Sequence, residues 1–558
     1  MSDLVHELRE ALVSGIKTKT LTSCSRWAEA RRVMGGDFSG PFGFKYHPWA
    51  KGPHDSKASL NVSMKAAQMG FTEIGINRAF FILDILQRDV LYVLPTALNA
   101  SDFSRSRFAP ALKYSPYIKS MFTDINTVNL KQAGTQTLYI RGSRGDSNLK
   151  SIPVSELILD EVDEMDQDQI WLAFERLSGQ KTQNIWAIST PTLPNRGIHK
   201  LYQTTTQEHF FFKCPSCSKS IELMWPESFE LCGEAINDPD IHKSHLKCTE
   251  CNNKLNHEDK PSFLGDGFWQ PTDLNASKDE RGFNINQLYS FTVTPSKVAA
   301  AYFRGMGDEG AMSEFYKSKV GQPYIPEGGQ VTDSKIDACV RSYSREDDRP
   351  TIGGERFITM GTDQGDWVHF NIDEWFLPEI GPDINVIAIC KNVFHGKFNA
   401  QIEGGWGKLD ELMREWQVLH CVVDADPNTL EARRFALRFP GYVTLCRYRR
   451  GVPQKSIQLT EDHERVPMAT VDRTNWIDCG LGRFHIENRI TLPRDTSLEY
   501  REHMKNLVRS YEKDEHGNLI ATYIKTGADH YAHAKVYSEI ALPIAASYVR
   551  GVDIKSFL

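Results

Sequence analysis

SELILDEVDEM, residues 155–165, decides how the N-terminal half of this chain is read. Leu157 to Leu159, with Glu156 ahead of them, make an apolar strand that ends on Asp160 and Glu161. A buried strand that delivers two acids to its C-terminal edge suits nucleotide hydrolysis. One carboxylate holds Mg²⁺ through water and the other orients the attacking water. Apolar strands also end in an acid simply because the chain is leaving the core. The reading therefore depends on the company this run keeps.

The bulk properties set the bounds. At 558 residues the chain is too long for one core, and its length implies roughly three to four units of ~150 residues. A hydrophobic content of 40% and a charged content of 25% are those of an ordinary globular protein. The formal net charge of −7 excludes a histone-like wrapper of polyanions. It does not exclude a local basic channel. Basic clusters at Arg105/Arg107, Arg433/Arg434 and Arg447/Arg449/Arg450 read first as solvated surface. No run of 18 apolar residues is present, so no transmembrane helix and no membrane partner are expected. The start, MSDLVHELREALVSGI, reads as a short amphipathic helix without the apolar centre of a signal peptide, which predicts an intracellular protein. In a reducing compartment, clustering among the 11 cysteines points to metal rather than to disulfides.

Along the chain, residues 1–45 read as an N-terminal helical segment. Residues 46–205 alternate strand-like runs (LNVSM, VLYVLP, TLYIRG, LILDE, NIWAIST) with helical stretches, the signature of an α/β domain with a largely parallel sheet. Residues 206–275 are rich in Cys, aromatics and turns and read as an insertion. Residues 276–350 read as a helical segment, with KVAAAYFRGM its clearest part, followed by a polar linker over 328–355. A second strand-rich domain spans 351–545, and 546–558 forms a tail. There are no repeats and no low-complexity tract.

KAAQMGFTE, 65–73, follows the strand LNVSM and precedes a helical pattern, the context a phosphate loop requires. Against G-x-x-x-x-G-K-[ST], Gly70 and Thr72 fall on the second glycine and the hydroxyl. Lys65 stands where the first glycine would be, and Phe71 replaces the lysine. The positive charge has moved to the front of the loop. Backbone N–H groups and the helix N-terminus still supply a cradle, with Lys65 reaching back over the phosphates. YHPW, 46–49, lies about twenty residues upstream, where an aromatic such as Trp49 can meet a base. AISTPT, 187–192, is a strand ending in small hydroxyl residues, suited to sensing a γ-phosphate.

Cys214-Pro-Ser-Cys217 and Cys248-Thr-Glu-Cys251 are two CxxC pairs separated by thirty residues. Two such knuckles make a tetrahedral Zn²⁺ site of the ribbon type. Binding worth roughly 10–16 kcal/mol can hold together a small module that lacks a core. A redox CxxC is the alternative, but it needs no partner pair. Cys232 reads as a buried thiol.

Farther on, FITMGTDQGDWVHFNIDEW (357–375) reads as a strand, a turn and a returning strand, with Asp363 ending the first. LHCVVDADPNT (419–429) is a strand ending at Asp424, with Asp426 two residues on and on the same face. ADHYAHAKVYSEIA (528–541) reads as a helix in which Asp529 and His533 are one turn apart. Acids gathered by a mixed sheet can hold two Mg²⁺ or Mn²⁺ ions ~4 Å apart, one activating water and the other stabilising a leaving 3′ oxygen. Without cations such carboxylates repel one another, so the site is expected to be metal-dependent.

Together these segments resemble the large subunit of tailed-phage DNA-packaging terminases, in particular the lambda-like GpA family. That family carries the same loop, with a leading Lys and an aromatic before the hydroxyl. VLPTALNASDFSRSRFAPALKYSPYI (93–118), SRGDSNLKSIPVSELILDEVDEM, STPTLPNRGIHKLY and RGFNINQLYS have close family counterparts, and the resemblance covers roughly residues 45–545. It implies an α/β chain: an N-terminal P-loop ATPase of the ASCE type, an inserted Cys₄ zinc ribbon and a C-terminal RNase H-like nuclease. It implies ATP, Mg²⁺ (or Mn²⁺) and Zn²⁺ as cofactors. Trp49, Lys65, Gln68, Gly70, Phe71, Thr72 and Asp160 would bind nucleotide and its Mg²⁺, Glu161 would orient water, and Ser189, Thr190 and Thr192 would couple hydrolysis to movement. Arg105 and Arg107 are the candidates for an arginine acting on a neighbour's phosphate. Asp363 and Asp424 match the first two acids of the nuclease. The third departs from the family pattern, an Asn-His or similar pair followed three residues later by Asp. Here Asp529-His530 is followed by His533, so either Asp529 supplies the carboxylate or His533 ligates metal.

The implied function is ATP-driven translocation of double-stranded DNA into procapsids, with metal-dependent cutting of concatemers. The implied partners are a small terminase subunit, met through residues 1–20, and the portal, met through the tail ending VDIKSFL. A homo-oligomeric ring, a pentamer, would work on the portal in the host cytoplasm and stay out of the mature virion. Two rival readings are a helicase–nuclease of DNA repair and a non-catalytic zinc-ribbon assembly protein.

Overall fold

Runs of branched and aromatic residues build the N-terminal half around one large sheet. A computed structural model describes residues 21–122, 125–144, 152–177, 179–345, 353, 355–381, 383–402, 405–453, 456–513 and 517–558. The expected helix within 1–20 lies outside these. The chain divides into two units, Met1–Tyr324 and Ile325–Leu558.

In the first unit, strand β1 (Leu60–Lys65) leads through the phosphate-loop candidate into helix α1 (Phe71–Phe81). There follow β2 (Val90–Leu94), β3 (Leu130–Ala133), β4 (Gln136–Gly142), β5 (Glu156–Asp160) and β6 (Asn184–Ser189). Then come β7 (Glu208–Lys213), β8 (Ser220–Ile221), β9 (Phe268–Pro271) and β10 (Glu280–Ile285). The sheet order is β8-β7-β10-β1-β6-β5-β2-β4-β3, with β9 also paired to β7. From β10 through β4 all neighbours are parallel. Such a sheet is buried on both faces, which is why its strands read as continuous apolar runs. In β5, Ile158 joins the core with Phe80 and Phe108, whereas Leu157 and Leu159 join the opposite core with Val62 and Ile198. Glu156, buried at the start of the same strand, is paired with Arg88 at 2.9 Å and receives a hydrogen bond from Asn184 at 2.8 Å. The Ser/Thr strand β6 lies between the loop strand and the acid strand, the additional-strand arrangement of ASCE ATPases.

Two expectations are corrected. Residues 280–285, placed within a helical segment, form β10. Parallel pairing with both β1 and β7 outweighs local propensity there. The helices expected after it do form, over Pro295–Gly305 and Glu309–Phe315. The cysteine-rich insertion is also not a coreless module. Ile221, Leu223, Phe229, Leu246 and Leu255 belong to the same apolar cluster as Phe80 and Phe283.

In the second unit, β11 (Arg356–Asp363), β12 (Trp367–Phe376) and β13 (Ile389–Asn399) make an antiparallel meander. β14 (His420–Asp424) and β15 (Val443–Tyr448) add in parallel beside β11. β16 (Gln458–Glu461), β17 (Pro467–Val471) and β18 (Ile490–Thr491) complete the order β16-β17-β15-β14-β11-β12-β13-β18. The central order 13-12-11-14-15 is that of the RNase H fold. Helix α2 (His530–Arg550) crosses β11. The segment 328–355, expected as linker, holds a helix, Asp333–Cys339, whose Ile336 is buried in this unit's core. The expected tail begins inside α2, and Phe557 is buried.

The crossing of α2 over β11 depends on Gly361. A Cβ there would lie 2.1 Å from both the Ala534 carbonyl oxygen and the Ser538 nitrogen. Gly361→Ala is therefore expected to destabilise the C-terminal unit by about 3 kcal/mol, read as a lowered melting temperature of that unit's transition.

Candidate active sites and cysteine cluster

The loop after β1 is held from several sides. The Ala66 N–H donates to the Ile285 carbonyl (2.8 Å) and the Ala67 N–H to that of Ser318 (3.0 Å). Gln287 Nε2 donates to the Ala67 carbonyl (2.7 Å), and the Trp49 indole donates to that of Met69 (3.0 Å). Gln68 and Gly70 adopt left-handed φ values of 57° and 84°, folding the chain back into α1. The first N–H groups of that helix have no intrahelical acceptor. Such groups at a helix start can receive an anion.

Two side chains differ from expectation. Phe71 is buried in the hydrophobic core, so only its backbone faces the cradle. Trp49 is buried beneath the loop, 1% exposed, and props the loop rather than offering a face to a base. Gln68 is exposed. So are Arg105 and Arg107, on the helical stretch Ser104–Phe108.

Lys65 ends β1 with its ammonium 3.3 Å from Glu161 Oε1 and 3.1 Å from Thr190 Oγ1. One cation thus touches both Glu161 and the residue that follows the Ser/Thr strand. Asp160 accepts a hydrogen bond from Tyr92 OH at 2.7 Å on Oδ2, while its buried Oδ1 has no partner within hydrogen-bond distance among the described residues. Burial and the adjacent Glu161 charge push Asp160 up to about 6, against the pull of Tyr92, Lys65 and Thr72. Glu161 sits at φ 63°, which few non-glycine residues hold, with its N–H donating to the Ile188 carbonyl (2.8 Å).

Asp163, two residues past the pair, was not singled out from sequence. Its Oδ2 accepts from the N–H and hydroxyl of Thr192 (2.7 Å each), and its Oδ1 accepts from the Ile198 N–H (2.6 Å). Ser189 Oγ in turn accepts from the Asp163 N–H at 3.1 Å. The third acid of DEVDE therefore fastens the Ser/Thr turn to the acid strand. Its only signal in sequence is its place in that run.

The two cysteine knuckles have the same backbone. The Cys214 and Cys248 N–H groups donate to the Lys219 and Asn253 carbonyls, both at 2.9 Å. Ser218 and Asn252 take φ values of 61° and 58°. Sγ atoms of Cys214 and Cys251, and of Cys217 and Cys248, are 3.9 Å apart, and all four lie within 4.8 Å of one another. That spacing is too wide for a disulfide and close to the edge of a thiolate tetrahedron around an ion with ~2.3 Å bonds. Cys232 is partly exposed rather than buried.

In the second unit, Asp363 and Asp424 end neighbouring parallel strands, β11 and β14. Burial and the Asp363 charge push Asp424 up to about 7. Asp426 points elsewhere, paired with Arg447 at 2.9 Å. Asp529 immediately precedes α2 without a side-chain capping bond, with Lys525 at 2.9 Å and His533 at 3.4 Å. Despite its burial, the hydrogen bonds from His533 and Lys525 hold Asp529 well below the carboxylate range. His533 Nδ1 meets Tyr448 OH at 3.2 Å. The residue of α2 that touches Asp363 is His530, at 2.8 Å from Nδ1 to Oδ2.

A parallel-sheet ATPase followed by an RNase H-like nuclease defines the class of this protein. The family model "Phage terminase large subunit gpA, ATPase domain" matches residues 37–269, and "Terminase large subunit gpA, endonuclease domain" matches 280–437. The chain belongs to the gpA family of phage terminase large subunits. It is accordingly an ATPase and a DNA endonuclease acting in DNA packaging and cutting, and the two family matches favour neither rival reading. Among solved structures it is similar to the HK97 bacteriophage large terminase, at 10% identity over 94% of this chain and 99% of that one, with a TM-score of 0.45. It is also similar to the large terminase ATPase domain of a Thermus phage (13%, 51% and 95%, TM-score 0.32). The large terminase nuclease of thermophilic phage G20c is a third (11%, 38% and 98%, TM-score 0.23). Likeness at these levels adds nothing to the two family matches. No curated protein matches the chain in sequence.

Asp163→Ala leaves the Thr192 and Ile198 N–H groups without their acceptor. It is expected to cost the N-terminal unit about 3 kcal/mol, seen in thermal melts, and to lower steady-state ATP hydrolysis.

Proposed function

We propose that Lys65, Asp160 and Glu161 form the hydrolytic centre of the ATPase, with Gly70 and Thr72 completing the phosphate cradle. The contact of Lys65 with both Glu161 and Thr190 carries this reading. A triphosphate entering the cradle competes for the Lys65 ammonium and draws it from Glu161. The freed carboxylate then orients the attacking water, and Thr190 loses its bond at the same moment. Nucleotide occupancy would thereby reach Ser189, Thr190 and Thr192 without a separate relay. Bound Mg²⁺ would neutralise the β- and γ-phosphates, and the Oδ1 of Asp160, without a partner among the described residues, fits its hydration shell.

In the nuclease, Asp363 and Asp424 are proposed as the acids that hold divalent ions, Mg²⁺ or Mn²⁺. Such ions supply an activated water and stabilise the leaving 3′ oxygen. The fit lies in two carboxylates on adjacent strand ends, one of them pushed up to about 7 partly by the other. The Asp529 oxygens already engage Lys525 and His533, and the His533 ring lies between Asp529 and Tyr448. Both fit better as residues that fix the start of α2 over the site.

The four knuckle cysteines are proposed to hold one structural Zn²⁺, which leaves no open position for catalysis. The substrate is proposed to be double-stranded DNA moved into a procapsid, by a pentameric ring on the portal working with a small subunit. Residues 1–20 and the C-terminal tail are the proposed contacts. Among the described residues no helix is long and apolar enough to cross a membrane, and the proposed setting is the host cytoplasm during packaging.

Lys65→Ala and Glu161→Ala should each lower ATP turnover about 100-fold or more. Normal hydrolysis by Lys65→Ala would falsify the displaced-lysine mechanism. Asp363→Ala should abolish Mg²⁺- or Mn²⁺-dependent plasmid cleavage and leave ATP hydrolysis in place. For the cysteines, elemental analysis should find one zinc per chain, and a strong chelator or Cys251→Ser should lower the melting temperature of the N-terminal unit. Purified chain without zinc, melting as before, would rule out the metal.

A further inference from the structure

Beside the strand-end acids lies a group of imidazoles that the assignments above leave unused. β11 and β12 form a hairpin in which Asp363 and His369 are directly opposed, so their side chains leave the same face. His530, the first residue of α2, meets Asp363 from the other side at 2.8 Å. The His369 and His530 rings stack with centroids 4.7 Å apart and planes 13° from parallel. One ligand atom from each of Asp363, His369 and His530 lies within 4.8 Å of the other two. His369 is only 4% exposed, and its buried Nδ1 has no hydrogen-bond partner among the described residues. The neighbouring His503 is already engaged, since its Nδ1 accepts from the Tyr531 N–H (3.2 Å) and its Nε2 lies 4.0 Å from Glu499.

We propose that Asp363, His369 and His530 form a mixed oxygen–nitrogen metal site that selects Mn²⁺, or another imidazole-accepting ion of the first transition row, over Mg²⁺. This rests on Asp363 being a metal ligand of the nuclease. Mg²⁺ is a hard ion that keeps its waters and takes oxygen donors, whereas imidazole binds the later divalent ions. Cis donors on an ion with ~2.1 Å bonds lie about 3 Å apart, close to the spacing already present between Asp363 Oδ2 and His530 Nδ1. The ion takes the place of the proton between them, and the imidazole then carries its proton on Nε2. His369 completes the face once the half-exposed His530 ring turns onto the ion. The site shares Asp363 with the strand-end pair, so the nuclease would carry one ion with nitrogen donors beside an all-oxygen position at Asp424.

The test uses the full-length, zinc-loaded chain with one equivalent of Mn²⁺. Pulsed electron paramagnetic resonance should show ¹⁴N couplings from directly bound imidazole, and titration calorimetry should show Mn²⁺ retained against a large excess of Mg²⁺. His530→Ala, at a half-exposed position, should weaken Mn²⁺ binding about tenfold or more, reduce the ¹⁴N signal and remove the preference over Mg²⁺, with its melting temperature unchanged. His369→Asn should do the same if it folds. Mn²⁺ bound without ¹⁴N coupling, or held equally well by His530→Ala, overturns the proposal and leaves Asp363 a ligand. Wild-type Mn²⁺ binding by Asp363→Asn overturns the assignment beneath it as well.

Discussion

Two carboxylates at the ends of buried strands repel each other, and burial raises the cost of ionising either. Both sites of this protein are organised by that constraint. In the N-terminal unit Asp160 and Glu161 are consecutive residues, and the counter-charge is a lysine on the strand two places away in the sheet. Its reach spans the intervening Ser/Thr strand, so neutralising the acids and contacting Thr190 are one act. In the C-terminal unit Asp363 and Asp424 end adjacent strands, and the nearest partner of Asp363 is an imidazole rather than a fixed cation. An acid pair with a built-in ammonium suits a ligand that brings its own negative charge, such as a nucleotide. A pair without one suits a ligand that brings positive charge.

The second arrangement needs α2 to be held accurately, and its interior shows how. Lys535 and Glu539 on the helix, Asp373 on β12 and Arg483 are all buried, two cations balanced by two anions. Lys535 reaches Asp373 and Glu539 at 3.0 Å each, Arg483 reaches Glu539 at 2.6 Å, and both cations lie 4.7 Å from the Trp375 ring centre. Buried ion pairs seldom add much net stability, but breaking one is costly, so they fix register. Lys535 stands five residues from His530. A helix locked there, and pressed against Gly361, has little freedom to shift the imidazoles relative to Asp363.

What was legible in the sequence was local. SELILDEVDEM reads as strand and acids because a strand's apolar run and its terminus are contiguous. The cysteine knuckles read from spacing alone, because each pair closes on itself. The strand–turn–strand at 357–375 was legible because a hairpin joins neighbours in sequence, whereas the RNase H-like fold came only from the family resemblance. What escaped depends on pairing across the chain. β10 is a strand because β1 and β7 flank it. The cysteine insertion has a core because its apolar residues meet the ATPase helices. Asp163 works through hydrogen bonds to residues some thirty positions away. His369 faces Asp363 only through hairpin register, and His530 rather than Asp529 faces it because of where α2 begins.

The unusual order of charges in the phosphate loop follows from the same packing. At position 71, where a standard loop has its lysine, the side chain points into the apolar core beside Trp49 and Met69. A lysine in that side chain's place would bury an ammonium in an apolar cluster, at a cost of several kcal/mol. At position 65 the backbone is the last residue of a parallel strand, and the side chain leaves at the same sheet edge as the acids. The cation keeps its partners when moved to the front of the loop and would lose them at the back. Under the proposed assignment Phe71 and Lys65 are a single adaptation: the residue that closes the core beneath the loop is not also its charge.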